Sequence, residues 1–344
     1  MVETLSVTMA PSGRPLAAFA NGTIAFTSKV SGVPDIVVTL TGPSGKHNLN
    51  SLIELPVFHP CVRLARWKEQ PGLLSFIPPD GRFILAGYEV DLLPFTDARV
   101  GKTSSPNLKL PVSLEIKTGL GSQGSDFEVR LHINTVFRAV GSFGGRGGGG
   151  GRGFGGQNTG TPASPSLQDL TVTVPLPADV RNLSEIRPSK GDANYNPGDR
   201  SLEWSIPNKE LASGGSYFGL RCTVVGQQVE EDVESDPTGF GFTTLGRDYS
   251  YDEPYQSASP SKDPEKSGGA GADEKDERRI ALNKTLMPSS AAVSFAVKGW
   301  LASGIKVESI IIDPRKSRGL GETVKPYKGV KYLTVSNGGV EIRC

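Results

Sequence analysis

Between Phe58 and Val90 the chain reads FHPCVRLARWKEQPGLLSFIPPDGRFILAGYEV, with apolar residues at every second position: Val62 with Leu64, then Ile84, Ala86, Tyr88 and Val90. A period of two marks strands that bury one face. Pro78-Pro79-Asp80-Gly81 supplies a fixed φ followed by tolerance of φ > 0, which predicts a tight turn. Comparable segments lie at residues 22–29, 34–40, 57–67, 73–78 and 83–90, punctuated by Gly, Pro and Asn. A second group covers 110–118 and 126–137, where Val112, Leu114 and Ile116 share one face, as do Val129, Leu131 and Ile133. Residues 167–174, 201–206 and 217–225 continue it, and 291–297, 305–312, 330–335 and 339–343 close the chain. The prediction is an all-β protein built from β-sandwiches.

Three stretches break the pattern. Residues 141–165 are Gly-rich, 226–279 are charged and rich in Ser, Pro and Gly, and 313–326 form a shorter basic loop. The first two hold too few apolar residues to offset their ordering entropy, so disorder is expected there. Gly 43, Pro 26 and a hydrophobic content of 36% in 344 residues fit two modest cores better than one large one. Lys+Arg 37 against Asp+Glu 36 leave a net charge of +1, so attraction to nucleic acid or to an anionic membrane has to be local. Cys61, Cys222 and Cys344 are odd in number and lack CxxC spacing, which argues against a disulfide framework or zinc site and fits a reducing, cytosolic setting. No run approaches the roughly 18 apolar residues of a membrane-spanning helix, and residues 1–15 lack signal-peptide regions.

Phe58-His-x-Cys-Val-Arg63, followed by Leu74-Ser-Phe-Ile-Pro-Pro-Asp-Gly-x-Phe83, resembles the signature of the mu homology domain of clathrin-adaptor medium subunits. SGVPDIVVTL at 31–40, VTVPLPADV at 172–180, YNPGDRSLEW at 195–204, SGIKV at 303–307 and KPYKGVKYL at 325–333 agree with it in order. The ending from Lys325 to Tyr332 most resembles members from adaptor complex three, since plasma-membrane relatives carry Trp-Val-Arg where Gly329-Val330-Lys331 stands. The resemblance implies two immunoglobulin-like β-sandwich subdomains, the second inserted into the first. Subdomain A would be 1–93 plus 301–344, and subdomain B 108–300, with disordered inserts at 141–165 and 226–279. It further implies a non-catalytic, cofactor-free cargo-recognition module of a vesicle-coat adaptor, working with the other subunits of a heterotetramer. Its partners would be cytosolic tails of membrane cargo carrying Tyr-x-x-bulky-hydrophobic signals. Its place would be the cytoplasmic side of Golgi and endosome membranes and coated vesicles, on routes to the lysosome or vacuole.

Such signals bind as an added strand, in which main-chain groups give affinity and pockets for alternate side chains give specificity. Carried over by position, the receiving edge is 328–332. Gly329 stands where a Trp walls the tyrosine pocket, Lys331 where an Arg stacks on the ring, and Val330 lies between them. Val307 and Ile310 match two aliphatic positions lining the slot for the bulky residue, and Thr27 matches a Lys that helps hold the tyrosine hydroxyl. On the residues alone, Val307 and Ile310 read equally as sheet core, and Lys331 as a solvated edge lysine. Three-residue spacing places Val307 and Ile310 on opposite faces of a regular strand, so they share one slot only if a bulge intervenes. In relatives a strand ending Phe-x-Asp-Val-x-Glu supplies an aromatic wall and a carboxylate. Met1-Val2-Glu3 aligns just after that Asp, so the resemblance implies a chain that begins one residue late and without the amino-terminal longin-like domain. Arg315, Lys316, Arg318, Lys325 and Lys328 form a basic cluster suited to phosphoinositide headgroups, at about 1 kcal/mol per residue near the surface. The plainer reading is a solvated loop.

Other chemistries have weaker support. The tract at 144–156, with Arg146, Arg152 and Phe154, resembles an RNA-binding arginine-glycine segment, but two Arg release few counterions and the chain is charge-balanced. Residues 42–47 imitate a phosphate loop without its first Gly or its Ser/Thr after Lys46. His47, His59 and His132 are the only imidazoles, and His59 beside Cys61 lacks an evident third catalytic partner. Trp67, Trp204 and Trp300 read as core. Ser257, Ser259 and Ser261 make the insert a candidate for phosphoregulation.

Overall fold

The computed structural model describes residues 1–43, 45, 49–93, 108–137, 160–226, 270–321 and 324–344. The glycine-arginine tract, His47 and Ser257, Ser259 and Ser261 lie outside the described residues. Alternation of apolar and polar side chains becomes strands along most of the chain. They are β1 (Val2–Met9), β2 (Pro15–Ser28), β3 (Ile36–Thr41), β4 (Glu54–Phe58), β5 (Leu73–Phe76), β6 (Gly81–Asp91), β7 (Val112–Leu120) and β8 (Asp126–Ile133). After these come β9 (Ser166–Pro175), β10 (Val180–Pro188), β11 (Asp192–Asn196), β12 (Ser201–Ile206), β13 (Tyr217–Gly226), β14 (Ser290–Lys298), β15 (Lys306–Ile312) and β16 (Leu333–Arg343). Short helices α1 (Leu64–Glu69) and α2 (Asn208–Ala212) and a longer α3 (Ala270–Thr285) punctuate them.

Among the described residues one nine-stranded sheet runs in the order β11-β12-β9-β14-β16-β1-β2-β6-β4. A four-stranded sheet, β10-β13-β8-β7, and a three-stranded sheet, β15-β3-β5, complete the architecture. β1 is paired in parallel with β16 and antiparallel with β2, so the two ends of the chain lie side by side. Two apolar clusters form. One gathers Ile36, Val38, Leu40, Leu74, Phe76, Leu85, Val90 and Val307, and the other gathers Phe127, Leu131, Val172, Trp204, Phe218 and Val293. Leu5, Val7, Ala18, Val340 and Ile342 belong to the second cluster. β1 and β16 thus pack in the second cluster, and β2 contributes to both, through Ala18 in the second and Ala20 and Ile24 in the first.

The turn expected at Pro78–Gly81 is present, with Gly81 at φ 89°. The strand expected at 57–67 is not. β4 stops at Phe58, and the chain turns where Val62 N–H donates to the His59 carbonyl at 2.9 Å and Cys61 N–H to His59 Nδ1 at 3.2 Å. Pro60 inside that turn has no N–H for a ladder, so the following residues form α1 and Leu64 is exposed rather than sharing a buried face with Val62. Disorder across all of 226–279 is also corrected, because α3 begins at Ala270. Ala, Glu, Lys and Arg in this segment are strong helix formers, and Asn283 Nδ2 donates to the Gln123 carbonyl at 2.9 Å. The strand expected at 330–335 begins instead at Leu333.

Candidate functional site

The signature residues build a frame before they build a site. Arg63, last residue of the Phe-His-x-Cys-Val-Arg run, reaches Asp35 of the Pro-Asp-Ile run through two guanidinium nitrogens, at 3.0 and 2.5 Å, and Ser75 Oγ at 2.7 Å. Asp35 is buried, so this forked pairing replaces the hydration its carboxylate loses. The Asp35 N–H donates to Ser317 Oγ at 2.9 Å and its carbonyl accepts from Asp313 N–H at 2.8 Å. Val33 and Arg318 exchange two further main-chain bonds, at 2.8 and 3.0 Å. Residues 314–316 are thereby pushed out between two anchored points, presenting Arg315 and Lys316 to solvent.

A second buried hub positions β15. The Glu3 carboxylate accepts from the Tyr88 hydroxyl at 2.8 Å, from Ser303 N–H at 3.0 Å and from Ser303 Oγ. Ser303 Oγ in turn accepts from Ile305 N–H at 3.2 Å, so β1 and β6 together fix the turn that launches β15. Burial, followed by the adjacent Glu3 charge, pushes the Tyr88 phenol well above its ordinary value. Sequence reading did not single out this hub; Glu3 stands at the last position of the relatives' Phe-x-Asp-Val-x-Glu pattern.

β15 pairs with β3 through Val307↔Leu40 and then Ser309↔Thr39 and Ile310↔Val38, leaving Glu308 as an extra residue. That bulge reverses the parity of the spacing. Val307 and Ile310 thus share the face of Leu40 and Val38, as one slot requires. Val307 is buried, Ile310 is partly buried against the same cluster, and Val330 packs there too.

Residues 328–332 run past the ends of both flanking strands. The Met1 nitrogen donates to the Lys331 carbonyl at 2.7 Å, and Gly299 N–H donates to the Tyr332 carbonyl at 2.8 Å. These two bonds close the ladder on either side and explain why β16 starts at Leu333. Beyond them, the main-chain N–H and C=O groups of Gly329 and Val330 take no hydrogen bond from the described residues. Side chains tie the segment to β15: Val307 N–H donates to the Tyr332 hydroxyl at 3.0 Å, and Lys328 Nζ donates to the Glu308 carbonyl. Lys331 is exposed, and Thr27 is exposed on β2 opposite Arg82.

Sequence reading missed Tyr327. Its ring is 91% exposed, and a Cβ on Gly329 would lie 2.2 Å from its Cε1, so the ring lies where a side chain at 329 would go. Of the basic cluster, Lys316 pairs with Asp313 at 3.4 Å and Lys328 is engaged with Glu308, while Arg315, Arg318 and Lys325 are exposed.

Among the described residues no group of three His, Cys, Asp or Glu is placed to hold a metal. His59 accepts from Cys61 N–H and packs against the Phe83 ring at 4.9 Å, a satisfied structural imidazole. Burial pushes the Cys222 thiol up to about 12 and raises Cys61. A thiol held protonated is a poor nucleophile.

A family model described as the adaptor complexes medium subunit family matches residues 1–344. The chain is 24% identical over 337 residues to the rat AP-3 complex subunit mu-2 and 25% identical over 334 residues to the human AP-3 complex subunit mu-1. Each alignment covers 97% of this chain and 54% of the relative, so the chain spans about half the length of the curated relatives it matches. In fold it is similar to a chain of a homology model of the full-length AP-3 complex in an intermediate open conformation, with a TM-score of 0.53, 19% identity and coverage of 99% of this chain and 66% of that one.

Proposed function

From the premise that this chain belongs to the adaptor complexes medium subunit family, we propose that it is the cargo-recognition module of a vesicle-coat adaptor, a binding module and not an enzyme. Its ligand is a Tyr-x-x-bulky-hydrophobic signal in the cytosolic tail of a membrane protein. The observation that carries this reading is the free main chain of Gly329 and Val330 beside an aliphatic slot at Val307 and Ile310. An extended peptide supplies the missing ladder partner, and its alternate side chains enter the pockets. Other subunits of a heterotetramer are the standing partners, and Golgi or endosome membranes on the way to the lysosome or vacuole are the place of action. Titration of a labelled Tyr-x-x-Leu peptide against the 344-residue chain tests the reading. Saturable binding that a Tyr→Ala peptide fails to reproduce is expected, and equal binding of both peptides would refute it.

Membrane contact is the second part of the reading. Arg315 stands on an excursion anchored at Asp313 and Arg318, and Arg318 and Lys325 are exposed nearby in sequence. Anionic headgroups are the matching surface. Replacing Arg315, Arg318 and Lys325 together by Gln is expected to weaken sedimentation with phosphoinositide-containing vesicles roughly a hundredfold, at about 1 kcal/mol per charge.

A further inference from the structure

The excursion from Asp313 to Arg318 carries a hydroxyl among cations. It reads Asp313-Pro-Arg-Lys-Ser-Arg318, so Ser317 has Arg315 and Lys316 directly before it and Arg318 directly after it. Arg315, Lys316 and Arg318 are exposed and Ser317 is half-buried. Of these cations only Lys316 has an ion-pair partner among the described residues, Asp313 at 3.4 Å. The Ser317 hydroxyl ties the excursion inward: it donates to the Asp313 carbonyl at 2.6 Å and accepts from the Asp35 N–H at 2.9 Å. Two main-chain bonds between Val33 and Arg318, and one from Asp313 N–H to the Asp35 carbonyl, also hold it. No residue from 313 to 318 belongs to either apolar cluster. Opening the excursion therefore breaks a few hydrogen bonds and uncovers no core, which places it among the segments of lowest local stability.

We infer that Ser317 is a phosphorylation site for a serine kinase with an acidic substrate groove, and that the phosphate releases the basic loop from residues 33–35 and cancels its charge. The site stands on the geometry alone, while its effect on membranes rests on the membrane-contact reading above. Cations on both sides of the serine complement a groove lined by carboxylates. Arg318 stands where a proline-directed kinase requires proline, so that class is excluded. In the transfer, Ser317 Oγ bonds to the γ-phosphorus of ATP as the bond to the β,γ-bridging oxygen breaks, ADP leaves, and the hydroxyl proton passes to the base of the kinase. The product does not fit the old place. A phosphate dianion has no proton for the Asp313 carbonyl, and the carboxylates of Asp35 and Asp313 repel it. It carries roughly two negative charges near neutral pH and strong acceptor oxygens, for which Arg315, Lys316 and Arg318 are adjacent donors. The loop then turns its cations onto its own phosphate instead of outward.

Ser189 provides an internal comparison, because it too stands among cations, Arg187 and Lys190, and is exposed, but it lies between β10 and β11. The full 344-residue chain is incubated with ATP, magnesium and either the catalytic subunit of cyclic-AMP-dependent protein kinase or protein kinase C, and the sites are mapped by peptide mass spectrometry. Phosphate on Ser317 is expected. Sedimentation with phosphoinositide-containing vesicles is then expected to weaken about thirtyfold, for about two cancelled charges. Amide exchange at Asp35 and Arg318, which lose their partners, is expected to accelerate. Ser317→Ala treated in the same way is expected to sediment like the untreated chain, and Ser317→Asp, with a single added charge, about fivefold more weakly. No phosphate on Ser317, whether or not Ser189 is labelled, would overturn the site. Phosphate on Ser317 that leaves sedimentation and exchange unchanged would overturn the switch. If the untreated chain does not sediment with the vesicles, the membrane-contact reading fails by itself, and the mapped phosphate and the exchange at Asp35 and Arg318 still decide this one.

Discussion

Asp35 shows how one buried charge can organise a surface. Its carboxylate is held by the fork of Arg63, and its main chain anchors the basic loop through Asp313 and Ser317. Removing the guanidinium leaves a buried carboxylate uncompensated, so Arg63→Ala is expected to lower stability by about 3 kcal/mol in urea unfolding. Lys at this position restores the charge without the fork and is expected to recover part of the loss. Tyr88 gives a second residue-scale expectation, in pH. Its phenol is raised in the folded state by burial and by Glu3. Above about pH 10 the unfolded chain releases a proton that the folded chain keeps, so stability falls as pH rises, by about 1.4 kcal/mol per unit for this group. Tyr88→Phe is expected to flatten that alkaline decline in melting temperature. The partners of these residues were not legible in advance. Arg63 and Asp35 stood in separate motifs, and only the folded sheet brings them together.

At the scale of elements, alternation was a sound guide wherever one face of a strand is buried, as in β8, β9 and β13. It failed where local chemistry overrides the period. Pro60 and the ring of His59 turn the chain into α1, and the weakly periodic β10 keeps only Val180 and Leu183 buried. β1, in contrast, carries its alternation plainly at Glu3, Leu5 and Val7 and went unassigned. The bulge at Glu308 was legible as a condition: Val307 and Ile310 share a slot only if the ladder slips by one, and it does. β2 and β6 supply a test of close packing. A Cβ on Gly22 would sit 2.1 Å from Cζ of Tyr88, inside a ring that Glu3 holds in place. Gly22→Ala is therefore expected to lose about 2 kcal/mol of stability by overpacking, measured by chemical denaturation. Recovery of that loss in a Gly22→Ala, Tyr88→Leu double variant would identify the ring as the obstacle.

For the whole molecule, the continuous nine-stranded sheet matters more than the division into halves. β1 and β16 are paired with each other and contribute Leu5, Val7, Val340 and Ile342 to the core around Trp204, while the segment before β16 sends Val330 to the core around Phe76. β2 couples the two cores, with Ala18 in one and Ala20 and Ile24 in the other, so one unfolding transition with coincident fluorescence and circular dichroism midpoints is expected. The same arrangement gives the site its place, because β16 loses both neighbours just where residues 328–330 begin. The direct measurement is amide hydrogen exchange of the full chain with and without a saturating Tyr-x-x-Leu peptide. Strand addition predicts slowed exchange at Gly329 and Val330 and no change in β4, the sheet edge at the far side. Protection confined to β4 or elsewhere, with 328–332 exchanging as in the free protein, would contradict it.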